Sequence, residues 1–285
     1  MPAIAATQSH HALLAHGRVS WLECAPVGLP PGNAQPPPLV LLHGIGSCAA
    51  SWRALMPLLA TGRRVLAWDA PGYAASAPLP MDHPQAADYG QAAWAWLAAA
   101  QVHAPILLGH SLGALMAAAM AAGGQYPITA LLLASPAQGY ATAEASVRDA
   151  KVQERVSALR DLGIAGLARE RSARLCAPGA PAATLARVAE NMRQITERGY
   201  AQAAWMLAHD HIDAHLRQAP PPLAVLCGER DVVTPAEPSR LLAQRYGAPF
   251  RLLADVGHAC YVEDGTAFAA AVQALITTPA TRPAA

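Results

Sequence analysis

The residues best equipped for chemistry in this chain stand at Gly109-His110-Ser111-Leu112-Gly113. An apolar run, PILLGH, leads into the serine, and an apolar helical run, LGALMAAAMAAGG, opens after it. A G-x-S-x-G pentapeptide between a strand and a helix forces a sharp turn that lifts the serine hydroxyl above the sheet. Glycines two residues to either side keep side chains from colliding across that turn. The start of the helix offers an amide and the positive end of the helix dipole to a developing oxyanion. This is the equipment of a serine nucleophile in acyl transfer. The competing reading, a serine that only caps the helix, fits the strand–turn–helix context less well.

Other clusters offer less. His209-Asp210-His211-Ile212-Asp213-Ala214-His215 puts three imidazoles and two carboxylates in seven residues. On a helix, His211 and His215 share a face, as do His209 and Asp213, a spacing that can hold a metal. A polar helix face leading back to the core accounts for the segment better, so no metal is expected. The five cysteines (Cys24, Cys48, Cys176, Cys227, Cys260) are scattered and lack C-x-x-C spacing, which argues against a zinc site or a disulfide framework. Cys48 and Cys260 read as small packing residues. Lys151 is the sole lysine, so Schiff-base chemistry has a single candidate. No H-E-x-x-H, Walker A loop or G-x-G-x-x-G is present, and no cofactor is expected.

Composition narrows the partners. Charged residues make up 14% of the 285, against roughly 25% in an average globular chain. Lys+Arg number 20 and Asp+Glu 19, a formal net charge of +1, so no field draws in nucleic acid or an anionic membrane. The longest apolar run, 112–122, is too short to span a bilayer. With no basic n-region at the start, the expectation is a soluble cytoplasmic protein, monomer or homodimer, that acts on a small molecule.

The elements that must position Ser111 follow from hydrophobic periodicity. Continuous apolar runs predict strands over 19–24, 39–43, 64–69, 106–110, 130–134, 223–228 and 250–253. Unbroken runs are what a parallel sheet covered on both faces requires. Alanine-rich helical runs between them predict helices over 51–60, 85–100, 112–123, 235–246 and 261–277. Thr234 followed by Pro235 reads as an N-cap with proline at the first helical position. Such alternation specifies an α/β fold with a doubly wound sheet. Between about 137 and 216 the strands stop and charges recur in helical rhythm, with a turn at APGAPAA (177–183). That stretch is expected to be an all-helical cap, 137–216, on a core formed by 1–136 and 217–285. A proline-rich loop is expected at 28–38, QAPPPL (218–223) marks re-entry into the sheet, and a frayed tail is expected at 278–285.

Four further motifs, in order, accompany the serine: His43-Gly44-Ile45-Gly46 after the strand PLVLLHG, Trp68-Asp69-Ala70-Pro71-Gly72-Tyr73, Gly228-Glu229-Arg230-Asp231 after LAVLCG, and Gly257-His258 after FRLLADVG. With these the chain resembles the α/β-hydrolase family of serine hydrolases with a helical cap, from about Val19 to Thr277. The resemblance implies a catalytic triad of Ser111, Asp231 and His258. It also implies an oxyanion hole built from the amides of Ile45 and Leu112. His43 and Asp69 are then structural, and Glu229 is a solvated loop residue rather than the triad acid. Trp205 and Met206 are candidate pocket residues that would favour an apolar group.

The implied reaction is cofactor-free hydrolysis of a carboxylic ester or lactone through an acyl-enzyme, as in carboxylesterases and enol-lactone hydrolases. Hydrolysis of a carbon–carbon bond in ring-cleavage products is the nearest alternative. Those enzymes commonly carry Gly-Pro after the HGxG element and a glycine after the elbow, where this chain has Ser47-Cys48 and Ala114. A non-catalytic small-molecule receptor on the same scaffold is the alternative of a different class.

Overall fold

The unbroken apolar runs form the central strands, and more polar runs flank them. The strands are β1 (Thr7–Leu14), β2 (Gly17–Cys24), β3 (Leu39–Leu42), β4 (Val65–Trp68), β5 (Ile106–His110), β6 (Ala130–Ala134), β7 (Leu223–Gly228) and β8 (Phe250–Leu253). The computed structural model describes residues 6–26, 36–124, 126–217 and 221–277. All eight strands join one sheet in the order β1-β2-β4-β3-β5-β6-β7-β8. β2 runs antiparallel to β1 and β4; every other pairing is parallel. The chain has the α/β-hydrolase fold.

Alternation along each strand divides its side chains between two cores. Val40, Leu42, Leu107, Leu131 and Leu133 point to one face, with α2 (Ala86–Ala99), α3 (Leu112–Ala122) and α8 (Ala236–Arg245) packed over them. Leu39, Leu41, Ile106, Leu108 and Leu132 point to the other, beneath α1 (Met56–Leu59), α9 (Cys260–Glu263) and α10 (Gly265–Thr277). Each fully buried leucine contributes roughly 2 kcal/mol of hydrophobic stabilisation. Strand order reverses at β3, which lies between β4 and β5. The crevice outside the carboxyl ends of β3 and β5 is where open α/β sheets place ligands.

Several elements differ from expectation. β1 is an additional strand: its sequence, TQSHHALL, is polar and half-exposed because it is an edge that pairs only with β2. The helix expected over 51–60 divides into a 3₁₀ turn (Ala49–Trp52) and α1. The one expected over 261–277 breaks at Asp264, whose Oδ1 accepts from Ala267 N at 2.9 Å to start α10. Thr234 does not cap α8. Pro235 is the N-cap, and the threonine hydroxyl is engaged elsewhere. Of the proline-rich segments, 28–35 and 218–220 lie outside the described residues, as does the tail 278–285.

Between β6 and β7 come four helices, α4 (Ala145–Leu175), α5 (Ala182–Met192), α6 (Glu197–His209) and α7 (Ile212–Leu216), and no described residue there lies in a strand. α4 is broken at Gly163, where φ is 64° and ψ 173°. The segment 209–215 ties these helices to the core. Asp210 accepts from Ala86 N and faces His215 Nε2, both at 2.8 Å, while Asp213 pairs with Arg245 and accepts from Tyr246 OH at 2.8 Å. No helix among the described residues is long and apolar enough to cross a membrane.

Candidate active site

Ser111 sits at the tip of the turn between β5 and α3 with φ 53° and ψ −118°, a strained conformation for a residue with a Cβ. It occupies the N-cap position, yet its side chain makes no capping hydrogen bond. The turn is held by the backbone instead: Ser111 N donates to Ala134 O at 2.9 Å, and Ser111 O accepts from Ala114 N and Ala137 N. The flanking glycines are required by close approach. A Cβ on Gly109 would strike Gly113 O, and one on Gly113 would strike Leu42 O at the end of β3.

The loop after β7 brings Asp231 to His258. His258 Nδ1 lies 2.8 Å from Asp231 Oδ2, and both side chains are buried. The other carboxylate oxygen accepts from Val233 N at 2.8 Å and Thr234 N at 2.9 Å. Burial opposes the Asp231 charge, but the His258 hydrogen bond and these amides outweigh it and hold the carboxyl at about 2. Asp231 is therefore a fixed anion, oriented to keep the Nδ1 proton on the imidazole. Glu229 is exposed and accepts from Asp255 N at 3.1 Å, well outside this arrangement.

Two contacts around the pair were not legible in the motifs. Thr234 Oγ1 lies 2.9 Å from Asp231 Oδ2, 2.9 Å from Ser135 O and 3.1 Å from His258 Nδ1. With one proton to give, the hydroxyl donates to an oxygen and accepts from the imidazole N–H. His110, the residue before the serine, places Nε2 2.8 Å from the carbonyl oxygen of His258. Burial, then the neighbouring His258, pushes His110 down to about 3, so it stays neutral and links the serine turn to the histidine loop.

His43 is enclosed beneath the loop after β3, with Ala70 N donating to its Nε2 at 3.0 Å. Burial pushes it down to about 4. Asp69 is likewise buried, accepting from Ser20 Oγ at 2.6 Å and Ala49 N at 2.8 Å. The cysteines are inert by the same physics: burial pushes Cys48 up to about 12 and Cys227 up to about 11.

Ser111, His258 and Ile45 share the wall of one cavity of about 780 Å³, roofed by α4 and α6. Its size suits a small organic ligand. Ile45 lies in the loop after β3 and lines the cavity, Leu112 follows Ser111 as the first residue of α3, and neither amide is taken up by a backbone or side-chain acceptor among the described residues. Trp205 and Met206 do not line it. Trp205 stacks on His83 and His209 with centroids 3.7 Å apart in each case, and Met206 is fully buried in the core. Their helix uses that face for its own packing. Within 209–215, Asp210 and Asp213 bond to the core and contact His215 and His211, His209 stacks on Trp205, and His211 lines the cavity.

The sequence model of the alpha/beta hydrolase family matches residues 39–271, a span that begins at β3 and takes in the elbow, the Asp231–His258 pair and the intervening helices. The chain belongs to the alpha/beta hydrolase family. Solved structures of this fold overlay it almost end to end. A thermophilic esterase from Thermogutta terrifontis superposes with a TM-score of 0.80 at 19% identity, over 96% of this chain and 100% of its own. A hydrolase from Pseudomonas aeruginosa gives 0.77 at 25% identity, over 95% and 98%. An enol-lactonase from Burkholderia xenovorans gives 0.77 at 21%, over 94% and 100%. No curated protein matches the chain by sequence.

Proposed function

We propose that this alpha/beta hydrolase is a serine hydrolase that cleaves a carboxylic ester or lactone through an acyl-enzyme. One observation carries the reading: the 2.8 Å Asp231–His258 pair opens onto the same cavity as a serine held in a strained, uncapped turn. His258 Nε2 takes the Ser111 hydroxyl proton as Oγ bonds to the substrate carbonyl carbon. The carbonyl oxygen, now an anion, is received by the amides of Ile45 and Leu112. When the tetrahedral adduct collapses, the carbon–oxygen bond to the leaving alcohol breaks and the imidazolium returns the proton to it. Water then loses a proton to His258, attacks the acyl carbon, and the released proton restores Ser111. Asp231 keeps the imidazole in the productive tautomer and stabilises the imidazolium. The helices of 137–216 act as a cap that admits substrate and excludes bulk water, over a core of 1–136 and 217–285.

In the resting geometry Ser111 Oγ makes no hydrogen bond to a described residue. The imidazole contact closes when substrate fills the cavity, as such contacts commonly do. The test is hydrolysis of p-nitrophenyl esters and an enol-lactone by wild type and Ser111→Ala. Turnover should fall by roughly 10⁴-fold or more in the mutant, and a fluorophosphonate should label wild type alone. Undiminished turnover in Ser111→Ala sinks the mechanism; ligand binding without turnover or labelling in wild type would make the chain a receptor.

A further inference from the structure

The cavity above Ser111 is charged on one side. α4 turns a face of each half into it: Lys151, Glu154 and Arg155 before Gly163, and Glu170, Arg171 and Arg174 after it. Four cations thus meet two carboxylates. Lys151 pairs with Glu154 at 3.4 Å. Arg155, Arg171 and Arg174 make no ion pair among the described residues.

Beside them lie polar groups whose bonding is incomplete. Tyr200 is 1% exposed, lines the same cavity, and its hydroxyl has no hydrogen-bond partner. The positive charges of Arg171 and Arg155 act on this phenol, although burial still raises its pKa overall. The Nε of Arg155 is buried and equally unpartnered. Buried donors left unpaired are costly, and of the unpaired buried polar side chains among the described residues, Arg155 and Tyr200 are the two that line this cavity. Three donor-bearing side chains, two of them fixed cations, face one space that leads to the serine. A planar carboxylate fits guanidinium and phenol donors, and the surplus of two positive charges suits a ligand of low negative charge.

We propose that Arg155, Arg171 and Tyr200 form a carboxylate subsite, so that the substrate is an ester or lactone bearing a free carboxylate besides its scissile carbonyl. The inference rests on the acyl-transfer reading and narrows its substrate: an acid-bearing molecule rather than the wholly apolar one that Trp205 and Met206 suggested. Hydrolysis of such a substrate yields a dicarboxylate when the acid lies on the acyl side.

The experiment compares matched pairs: mono-p-nitrophenyl hemiesters of linear C5–C7 diacids against p-nitrophenyl esters of the monoacids of equal length. Wild type should favour the hemiester of one chain length by about 10-fold or more in kcat/KM, with the preference shrinking as salt rises. Arg155→Met and Arg171→Met should each lower that ratio by about 10-fold, and Tyr200→Phe by severalfold. Arg169→Met, on an exposed position of α4 outside the cavity, should leave the ratio unmoved. Should a methionine variant fail to fold, Arg155→Lys, Arg171→Lys and Tyr200→Phe, each expected to lower the ratio, decide.

A second arm does not depend on turnover. Calorimetry on Ser111→Ala should show glutarate, adipate or pimelate binding tighter than the monoacid of equal length, and Arg171→Met in that background should abolish the difference. Equal kcat/KM for both ester classes, a ratio indifferent to Arg155 and Arg171, or tighter binding of inorganic phosphate than of every diacid overturns the subsite while leaving Ser111 chemistry intact. Loss of all Ser111-dependent turnover with diacid binding retained would instead overturn the acyl-transfer reading.

Discussion

The carboxyl ends of the strands and the helical insertion solve opposite problems with the same kinds of residue. At the end of β7 one carboxylate is bonded to saturation: Asp231 accepts from His258, Thr234 Oγ1 and two amides. On the cavity face of α4, guanidinium groups stand with donors to spare. A saturated network fixes geometry, because every displacement breaks a bond whose replacement by water is excluded. An unsaturated one leaves free energy to be gained by a ligand. Chemistry is assigned to the first region and recognition to the second.

That division can be broken or sharpened by substitution. The largest effect is expected at Asp231. Asp231→Asn should keep the fold and lower kcat by roughly 10⁴-fold, since the amide favours the wrong imidazole tautomer. Its stability signature has a definite sign. The Asp231 carboxyl falls from 3.8 to about 2 on folding, so its contribution is fully present above pH 4 and is lost as pH drops through 2. Urea denaturation at pH 6 and pH 3 should show wild type losing about 1 kcal/mol more than Asp231→Asn across that interval, with the rest lost only below pH 3. Equal losses would mean that the carboxylate is not tied to the histidine.

Thr234→Val comes next. Deleting a hydroxyl shared by Asp231, His258 and Ser135 should lower kcat by about 10-fold with little change in KM, while Thr234→Ser restores most of it. An effect on KM alone would move Thr234 out of the network that fixes the imidazole. Gly163→Ala probes the other region. No atom lies within 4 Å of the added Cβ, so the cost is the backbone's own: φ 64° with ψ 173° is a conformation essentially confined to glycine. A loss of about 1–3 kcal/mol should appear in thermal unfolding, with KM altered more than kcat. The smallest effect on catalysis belongs to Trp205→Ala. Its stacks on His83 and His209 support the fold, so stability should drop while kcat/KM stays within about twofold.

The two regions were also unequally legible. β5, β6, β7 and β8 were read from sequence to the residue: the first three are buried almost throughout, and β8, a half-exposed edge strand, is still marked by Phe250, Leu252 and Leu253. The Ser111 turn was equally plain, since its glycines answer to steric contact. β1 escaped because an edge strand tolerates histidines, and the break at Asp264 escaped because its flanks, 260–263 and 265–277, are each good helical sequence. Thr234 and Pro235 matched a capping pattern, but Asp231 and His258 claimed the hydroxyl, and no local propensity carries that information. The arginines of α4 were visible as charges in helical rhythm. Rhythm says which residues share a face, not whether that face looks at water or at a cavity.

All six charged residues of the cavity wall come from α4, a single stretch of 31 residues, whereas Ser111, Asp231 and His258 come from three separate loops on the sheet. Diet and digestion are thus written on different pages of the chain. On the proposed reading, recombination or drift confined to 145–175 can change which molecules are admitted without touching the loops that carry Ser111, Asp231 and His258. The same stretch is the natural cassette for anyone wishing to retarget the enzyme.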